Sequence, residues 1–235
     1  MYFPMYYDPT YFLVLIGVVF SLLAQTKVKN TFSKYSQVRN RTGMTGAEAA
    51  QRILQGAGIY DVRIEHINGN LTDHFDPKSK VLRLSDSVYG SASVAAVGVA
   101  AHECGHAIQH AKGYAPLKLR SVLVPVANFG SKIAWPLIVL GLFITSKSST
   151  LLINLGIIAF LGSVLFQVVT LPVEFNASNR AIRIIEETGL MQGEEVKSAR
   201  KVLSAAALTY VASAATAILQ LLRIFLLVGG RRRND

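Results

Sequence analysis

The sequence is short of charged residues and of cysteine, and each shortage narrows the class of protein. Charged residues make up 16% of the 235 positions, below the roughly 25% of an ordinary soluble domain. A single cysteine, Cys104, permits no intrachain disulfide and gives no sign of an oxidising compartment. The 14 acidic residues are outnumbered by 24 basic ones, but these flank apolar segments instead of forming one face with interleaved aromatic rings, so we expect no nucleic-acid partner. We therefore predict a membrane protein in contact with a lipid bilayer.

The first hydrophobic segment, about residues 6–25, predicts a retained N-terminal anchor. It lacks the basic residues that precede the apolar core of a cleavable signal, and Tyr6 and Tyr7 stand where aromatic rings often lie at the outer interface. Under the positive-inside rule, the basic cluster after it marks a cytoplasmic loop. Residues 27–120 are accordingly expected in the cytoplasm. The cluster consists of Lys27, Lys29, Lys34, Arg39 and Arg41.

A second hydrophobic region, residues 122–171, predicts a membrane hairpin. Its second half, Leu151–Leu171, carries no charge and has about the 20 residues that a spanning helix requires. Residues 172–235 follow as a short helix that starts after Pro172 and a hydrophobic helix over 205–228. For the latter we favour a position on the soluble part or in the inner leaflet, because a span would place Arg223 in the membrane and residues 231–233 outside. The sequence thus predicts three to four transmembrane helices, with residues 1–235 as one functional unit.

The segment between the first two hydrophobic regions carries the local signals of a small soluble fold. Thr45–Glu48 has the spacing of a capping box at a helix start. Val62–Ile64 and Val81–Leu84 alternate like half-buried strands and predict a small antiparallel sheet. Ser91 or Ser93 caps a further, apolar helix. The predicted fold class is therefore mainly α and integral to the membrane, with a central helix packed on a small antiparallel β-sheet.

That central helix carries the segment His102-Glu103-Cys104-Gly105-His106. Residues four apart lie on one helical face, so both histidines can present a ring nitrogen to one metal ion. Glu103 lies beside them and can take a proton from a water that zinc has acidified. This is the His-Glu-x-x-His pattern of zinc peptidases. The alternative is that both histidines are satisfied core residues of a buried helix.

A catalytic zinc needs a third protein ligand, and the sequence restricts the choice. Lys112 stands where one class of zinc peptidase has a third histidine, and no Asp or Glu lies between Glu103 and Glu174. Glu174 follows the charge-free span where the hairpin returns the chain to the cytoplasm, so we predict it as the third ligand; a charge in the first turn of a helix is the alternative. The remaining downstream carboxylates are Asp235 and four glutamates that look like solvated charges at helix ends, namely Glu186, Glu187, Glu194 and Glu195.

Two segments resemble the YugP-like neutral zinc metallopeptidases of prokaryotic membranes. They are residues 100–109, around the motif, and Leu171–Ser178, with the sequence Leu-Pro-Val-Glu-Phe-Asn-Ala-Ser. Residues 45–54 and 71–76 are also similar to that family, so the likeness covers nearly the whole chain. The resemblance implies a gluzincin-like peptidase unit, with Zn²⁺ bound by the two motif histidines and Glu174 and with the motif glutamate as general base.

More distantly, the chain is similar to membrane gluzincins such as the HtpX-type and CAAX prenyl proteases. In those relatives an aspartate four residues after the ligand glutamate supports a zinc-bound histidine. Here that position is Ser178, whose hydroxyl can accept a histidine N–H bond. Arg180 is a candidate for stabilising an oxyanion. Asp73 and His74 precede a predicted strand and are candidates for an edge that pairs with an extended substrate, or else belong to a polar hairpin turn.

The predicted function is that of a zinc-dependent endopeptidase in a prokaryotic plasma membrane, with its active site facing the cytoplasm. By family likeness its substrates are membrane-associated or misfolded polypeptides, and the sequence is compatible with a homo-oligomer. A non-proteolytic zinc-stabilised membrane scaffold is the alternative, because it keeps the metal and does not need Glu103. A small transporter ranks last, since Leu151–Leu171 has no ionisable residue to line a pore.

Overall fold

The computed structural model describes residues 8–144 and 148–231. Several sequence predictions lie outside the described residues, namely those for Tyr6, Tyr7, Arg232, Arg233 and Asp235, together with the side chain of Arg231. The described residues form six helices and three strands, in the order α1 (Tyr11–Ser36), α2 (Gly46–Gly56), β1 (Arg63–Ile67), β2 (His74–Asp76), β3 (Val81–Ser85), α3 (Val94–Ala111), α4 (Ala115–Phe143), α5 (Ser148–Glu187) and α6 (Glu194–Arg231).

Four of the helices are long and apolar enough to cross a membrane. They are α1, α4, α5 and the part of α6 from Glu194 to Gly229. Only 17–22% of their most apolar windows is buried inside the protein, so most of that apolar surface is left for lipid, and a helix satisfies its own backbone hydrogen bonds there. The mainly helical, integral-membrane fold class is confirmed.

The chain divides into two compact units. The helical unit comprises the described parts of Met1–Leu23, Leu119–Val169 and Val211–Asp235, and the α/β unit comprises Ala24–Lys118 and Thr170–Tyr210. The α/β unit contains the sheet, helix α3 and a continuous hydrophobic core. That the whole chain acts as one functional unit stays a prediction.

Helix α1 continues well beyond the predicted anchor, to Ser36. The first three residues of the basic cluster therefore lie on this helix and not in a loop, which corrects the sequence prediction. The physical reason is burial, because Phe32 and Tyr35 on the last turns are each only 9% exposed and belong to the core of the α/β unit. An apolar face of this kind stabilises a helix beyond the point where its hydrophobic run ends.

Helix α5 runs without a break through Pro172, although the sequence predicted a separate helix after that residue. Proline inside a helix removes one backbone hydrogen bond and costs about 3 kcal/mol. The residues on the following turns, Val173, Ala177 and Ala181, are all 0% exposed in the α/β unit. Their packing is what offsets the proline, since tertiary packing contributes more to helix stability than local propensity does.

Helix α6 has the length and hydropathy of a span, which argues against the peripheral position favoured for residues 205–228. Arg223, the charge that disfavoured a span, is paired within the helical unit. Its guanidinium lies 3.0 Å from Asp8 Oδ2, and its carbon atom Cζ lies 4.2 Å from the centre of the Tyr11 ring. A charge with a close partner is tolerated in apolar surroundings where a lone charge is not.

The sheet is mixed, which corrects the prediction of an antiparallel one. Its strand order is β1-β3-β2; β3 pairs antiparallel with β2, with His74 opposite Arg83, and parallel with β1, with Arg63 opposite Val81. The sequence prediction missed the three-residue strand β2 and so left β1 and β3 as neighbours along the chain. Because β2 and β3 are joined by a tight turn and form the hairpin, β1 takes the other edge of β3 and runs parallel to it.

Both helix starts predicted in the α/β unit are confirmed. Thr45 Oγ1 accepts a hydrogen bond from Glu48 N at 3.3 Å, and Glu48 Oε2 accepts one from Thr45 N at 2.8 Å, which completes the capping box. Ser93, one of the two candidates for the next cap, accepts from Ala96 N at 3.1 Å. This cap determines where α3 begins.

Candidate metal centre

Helix α3 places the His-Glu segment in the core of the α/β unit. Thirteen of its 18 residues are buried, so neighbours on several sides fix its rotation. At Gly105 it approaches α5 so closely that an added Cβ would lie 2.7 Å from Ala177 O. Only glycine permits this approach of two backbones, and it brings Glu174 within reach of the histidine pair.

The three predicted ligands, His102, His106 and Glu174, converge at this approach. The Nε2 atoms of His102 and His106 lie 3.3 and 3.5 Å from Glu174 Oε2, and all three candidate ligand atoms lie within 4.8 Å of one another. The Glu174 side chain is 1% exposed, whereas each histidine side chain is 12% exposed. The carboxylate is therefore fully enclosed, whereas the two histidine rings keep a small exposed area.

The donor set and its spacing fit a zinc ion. Zinc binds imidazole nitrogen and carboxylate oxygen at about 2.0–2.2 Å, so two ligands of a tetrahedral ion lie about 3.3–3.4 Å apart. The N···O separations of 3.3 and 3.5 Å agree with that value. Within residues 8–144 and 148–231 the cluster contains no fourth His, Cys, Asp or Glu. Three protein ligands with one position left over is the arrangement of catalytic zinc sites, not of structural ones.

The second ring nitrogen of each histidine has a hydrogen-bond partner. Ser178 Oγ lies 3.1 Å from His102 Nδ1, and Gln109 Oε1 lies 3.1 Å from His106 Nδ1. Partners at Nδ1 orient the rings so that both Nε2 atoms face Glu174, which is how ligand histidines are held in metal sites. Ser178 thus lies beside the ligand pair, as a supporting residue must, and its role in metal binding stays a prediction.

The local electrostatics favour a cation. Burial by itself lowers the pKa of His106, but the Glu174 carboxylate and the nearby charge of Glu103 outweigh burial and hold that pKa above its usual value. Glu103 is 8% exposed, and its carboxylate makes no hydrogen bond or ion pair within the described part of the chain. A buried carboxylate with both oxygens available is suited to exchanging protons with a bound substrate.

Asp73 and His74 lie outside this cluster. The Asp73 carboxylate accepts hydrogen bonds from Ser85 N at 2.8 Å and from Ser85 Oγ at 2.9 Å, and burial raises its pKa. It therefore ties the residue before β2 to the end of β3. His74 is exposed at the start of β2, and its Nδ1 lies 2.9 Å from Thr72 O.

The alternative third ligands are also placed elsewhere. Glu186, Glu187 and Glu194 are exposed, and Glu195 accepts a hydrogen bond from Arg41 N at 2.7 Å. Among the described acidic residues, Glu174 is thus the carboxylate that meets the histidine pair.

The sequence analysis assigned no role to Gln109 or Asn176, two polar residues next to the ligands. Gln109 Nε2 donates to Asn176 Oδ1 at 3.0 Å, and Arg180 Nε donates to the same oxygen at 2.7 Å. Arg180 therefore belongs to this hydrogen-bond network, which ends at His106. The available signal was the position of Gln109, three residues after His106 and on the same face of the motif helix.

Comparisons with known proteins relate the chain to one family. A family model described as "Putative neutral zinc metallopeptidase" matches residues 10–229, a range that includes the histidine pair and Glu174. The chain is 49% identical over 224 residues to the "Putative membrane protease YugP" of Bacillus subtilis (strain 168), which covers 95% of this chain and 98% of that protein. No solved structure matches the chain. The chain therefore belongs to the neutral zinc metallopeptidase family. The family name implies zinc, and His102, His106 and Glu174 are the described residues that could hold a metal ion.

Proposed function

We propose that this protein is a membrane-bound, zinc-dependent endopeptidase of the gluzincin type. The observation that carries the proposal is the convergence of His102 Nε2, His106 Nε2 and Glu174 Oε2, with Glu103 next to the first ligand on the same helix. A site that only bound a metal ion would need the three ligands and no further carboxylate. The additional buried carboxylate, with no hydrogen-bond partner among the described residues, supports catalysis.

A zinc ion held by these three residues would polarise the scissile carbonyl and lower the pKa of a bound water towards neutrality. Glu103 accepts a proton from the attacking water and delivers it to the leaving amine nitrogen. Ser178 and Gln109 hold the two histidine rings in place while this occurs. The chain thus supplies binding, orientation and proton transfer from residues of two helices, α3 and α5.

The edge strand β2 is the proposed binding site for an extended polypeptide. It has β3 on one side and no strand on its other side within the described residues. Phe75 of β2 contacts the ring of His110 on α3, with centroids 5.9 Å apart, so this edge lies beside the motif helix. A polypeptide can add to such an edge as a further strand. His74 would then flank the peptide, and Asp73 would act indirectly by anchoring the start of β2 to Ser85 at the end of β3.

For localisation we propose the plasma membrane of a prokaryote, with the site facing the cytoplasm. The basic cluster after the apolar part of α1 supports this orientation through the positive-inside rule. A site at the cytoplasmic face would meet membrane-associated or misfolded polypeptides, which is the proposed substrate class.

The test compares three variants of the full-length protein in lipid nanodiscs, with cleavage of an unfolded fluorescent polypeptide and zinc content both measured. Glu103→Gln should lower the cleavage rate by about 10²–10⁴-fold and leave the zinc content unchanged. Glu174→Ala should lose zinc. Glu186→Gln, an exposed glutamate on the same helix as Glu174, is the control and should change neither.

Each failure has a distinct meaning. Full cleavage by Glu103→Gln would refute the proposed catalytic role, and full zinc occupancy of Glu174→Ala would remove that residue from the site. Wild-type protein that contains zinc and cleaves no polypeptide would instead favour the zinc-stabilised scaffold.

A further inference from the structure

We infer that Gln109 is a positioning residue for the metal centre, which sets the tautomer of His106 and ties α3 to α5 next to Glu174. The inference rests on the proposed function, because it concerns how the proposed zinc ligands are oriented.

Gln109 is buried between the two helices that carry the ligands. Its side chain is 0% exposed. The amide nitrogen Nε2 donates to Val173 O at 2.8 Å and to Asn176 Oδ1 at 3.0 Å, and the amide oxygen Oε1 lies 3.1 Å from His106 Nδ1. All three polar contacts of this side chain are therefore made to α5 or to a ligand.

The backbone carbonyl of Val173 determines which way round the Gln109 amide lies. A carbonyl oxygen can only accept, so the atom that faces it must be the NH₂ group. Asn176 Oδ1 supports the same orientation, because it also accepts from Arg180 Nε at 2.7 Å. The oxygen of Gln109 must then face His106.

This orientation has a chemical consequence for His106. Because Gln109 Oε1 is an acceptor, His106 Nδ1 must carry the proton, and the lone pair of the neutral ring is left on Nε2, which faces Glu174 Oε2 at 3.5 Å. A flipped amide would place NH₂ against the ring N–H and oxygen against the Val173 carbonyl. The amide therefore selects the tautomer that can bind a metal through Nε2.

The two histidines differ in this respect. Ser178 Oγ, the partner of His102 Nδ1, can donate or accept, so it does not select a tautomer. Gln109 acts at one ligand only, and it also contacts the residue immediately before Glu174. Loss of the Gln109 side chain should therefore disturb His106 directly and Glu174 through the backbone of Val173.

The test measures the affinity of the full-length protein for zinc by competition with a chelator. Gln109→Met keeps the length of the side chain and removes both the acceptor and the donors, and we expect zinc to bind about 10–100-fold more weakly. Gln109→Glu keeps an oxygen acceptor for His106 Nδ1 and should restore most of that affinity. Equal weakness of both variants would show that an acceptor at His106 Nδ1 does not contribute to zinc affinity, and would overturn the tautomer role that the inference assigns to Gln109.

The matched control is Asn40→Leu. Asn40 is a buried carboxamide of the same unit, 3% exposed, whose Nδ2 donates to Met44 O at 2.8 Å and to Ala92 O at 2.7 Å. It resembles Gln109 in chemistry and burial but has no contact with a ligand. Asn40→Leu should lower the unfolding temperature of the metal-free protein without changing zinc affinity.

Unchanged zinc affinity in Gln109→Met would refute the positioning role. If that variant does not fold, Asn176→Ala decides the question. It removes one acceptor of the Gln109 amide at a half-buried position, so it should weaken zinc binding by a smaller factor. Unchanged zinc affinity of Asn176→Ala would also overturn the inference. Wild-type protein that binds no zinc would contradict the proposed function itself, so the two failures are distinguishable.

Discussion

Replacing Gly105 by alanine tests whether the metal centre depends on the close approach of α3 and α5. The new Cβ would lie 2.7 Å from Ala177 O and 3.2 Å from the Ala177 carbonyl carbon. Carbon–oxygen contacts are ordinarily about 3.3–3.6 Å, so the two backbones would have to separate by about 0.6 Å or more. His106 directly follows Gly105, and Glu174 lies one turn before Ala177. The separation would therefore be transmitted to ligands on both helices, and functional sites tolerate displacements of only about 0.5 Å.

The same helix offers a matched control in Gly98→Ala, whose Cβ would meet Ala199 Cβ at 3.5 Å, an ordinary contact. Both substitutions gain about 1 kcal/mol of helix propensity. Only Gly105→Ala also incurs the overlap, which costs about 1–3 kcal/mol in a packed core. We therefore expect its free energy of unfolding to be about 1–3 kcal/mol below that of Gly98→Ala. If 1.4 kcal/mol of the cost of this overlap is lost from the free energy of zinc binding, zinc affinity falls about tenfold.

The assay has two parts, both on full-length protein in detergent micelles. Denaturant titration of the metal-free variants gives the difference in stability, and chelator competition gives the difference in zinc affinity. Equal stability and equal zinc affinity of Gly105→Ala and Gly98→Ala would refute the reasoning, because the overlap would then have been absorbed without moving the ligands.

Three further predictions concern contacts at other positions. Ser178→Ala should weaken zinc binding about tenfold in chelator competition, because it removes the partner of His102 Nδ1; full affinity would show that this contact does not orient the ring. Thr45→Ala should lower the free energy of unfolding by about 1 kcal/mol in denaturant titration through loss of the cap, whereas Thr45→Ser should retain it. Asp8→Ala should destabilise the protein more than the double variant Asp8→Ala/Arg223→Met in a thermal unfolding assay, because the single change leaves the buried guanidinium without its carboxylate; equal losses would mean that the unpaired guanidinium of Arg223 carries no penalty.

Features that depend on neighbouring residues were predictable from the sequence. The capping box at Thr45 and the cap at Ser93 follow from side chains three positions apart, and the hydrophobic helices follow from composition over about 20 residues. The predictions that failed concern where elements end and how they pair. Packing of Phe32 and Tyr35 prolongs α1, and packing after Pro172 keeps α5 continuous, against the local signals. The parallel pairing of β1 with β3 depends on β2, a strand too short to show a pattern of its own.

The same distinction between local and long-range features applies to the candidate site. The sequence by itself determined the types of ligand, since the spacing of His102 and His106 places both on one face of a helix and the scarcity of acidic residues leaves few partners besides Glu174. Only the tertiary structure decided how those ligands are assembled. The approach at Gly105 and the orientation of the Gln109 amide depend on contacts between α3 and α5, whose residues are more than sixty positions apart. Contacts at such a separation leave no periodic pattern in one sequence, and the geometry of the metal centre depends on them.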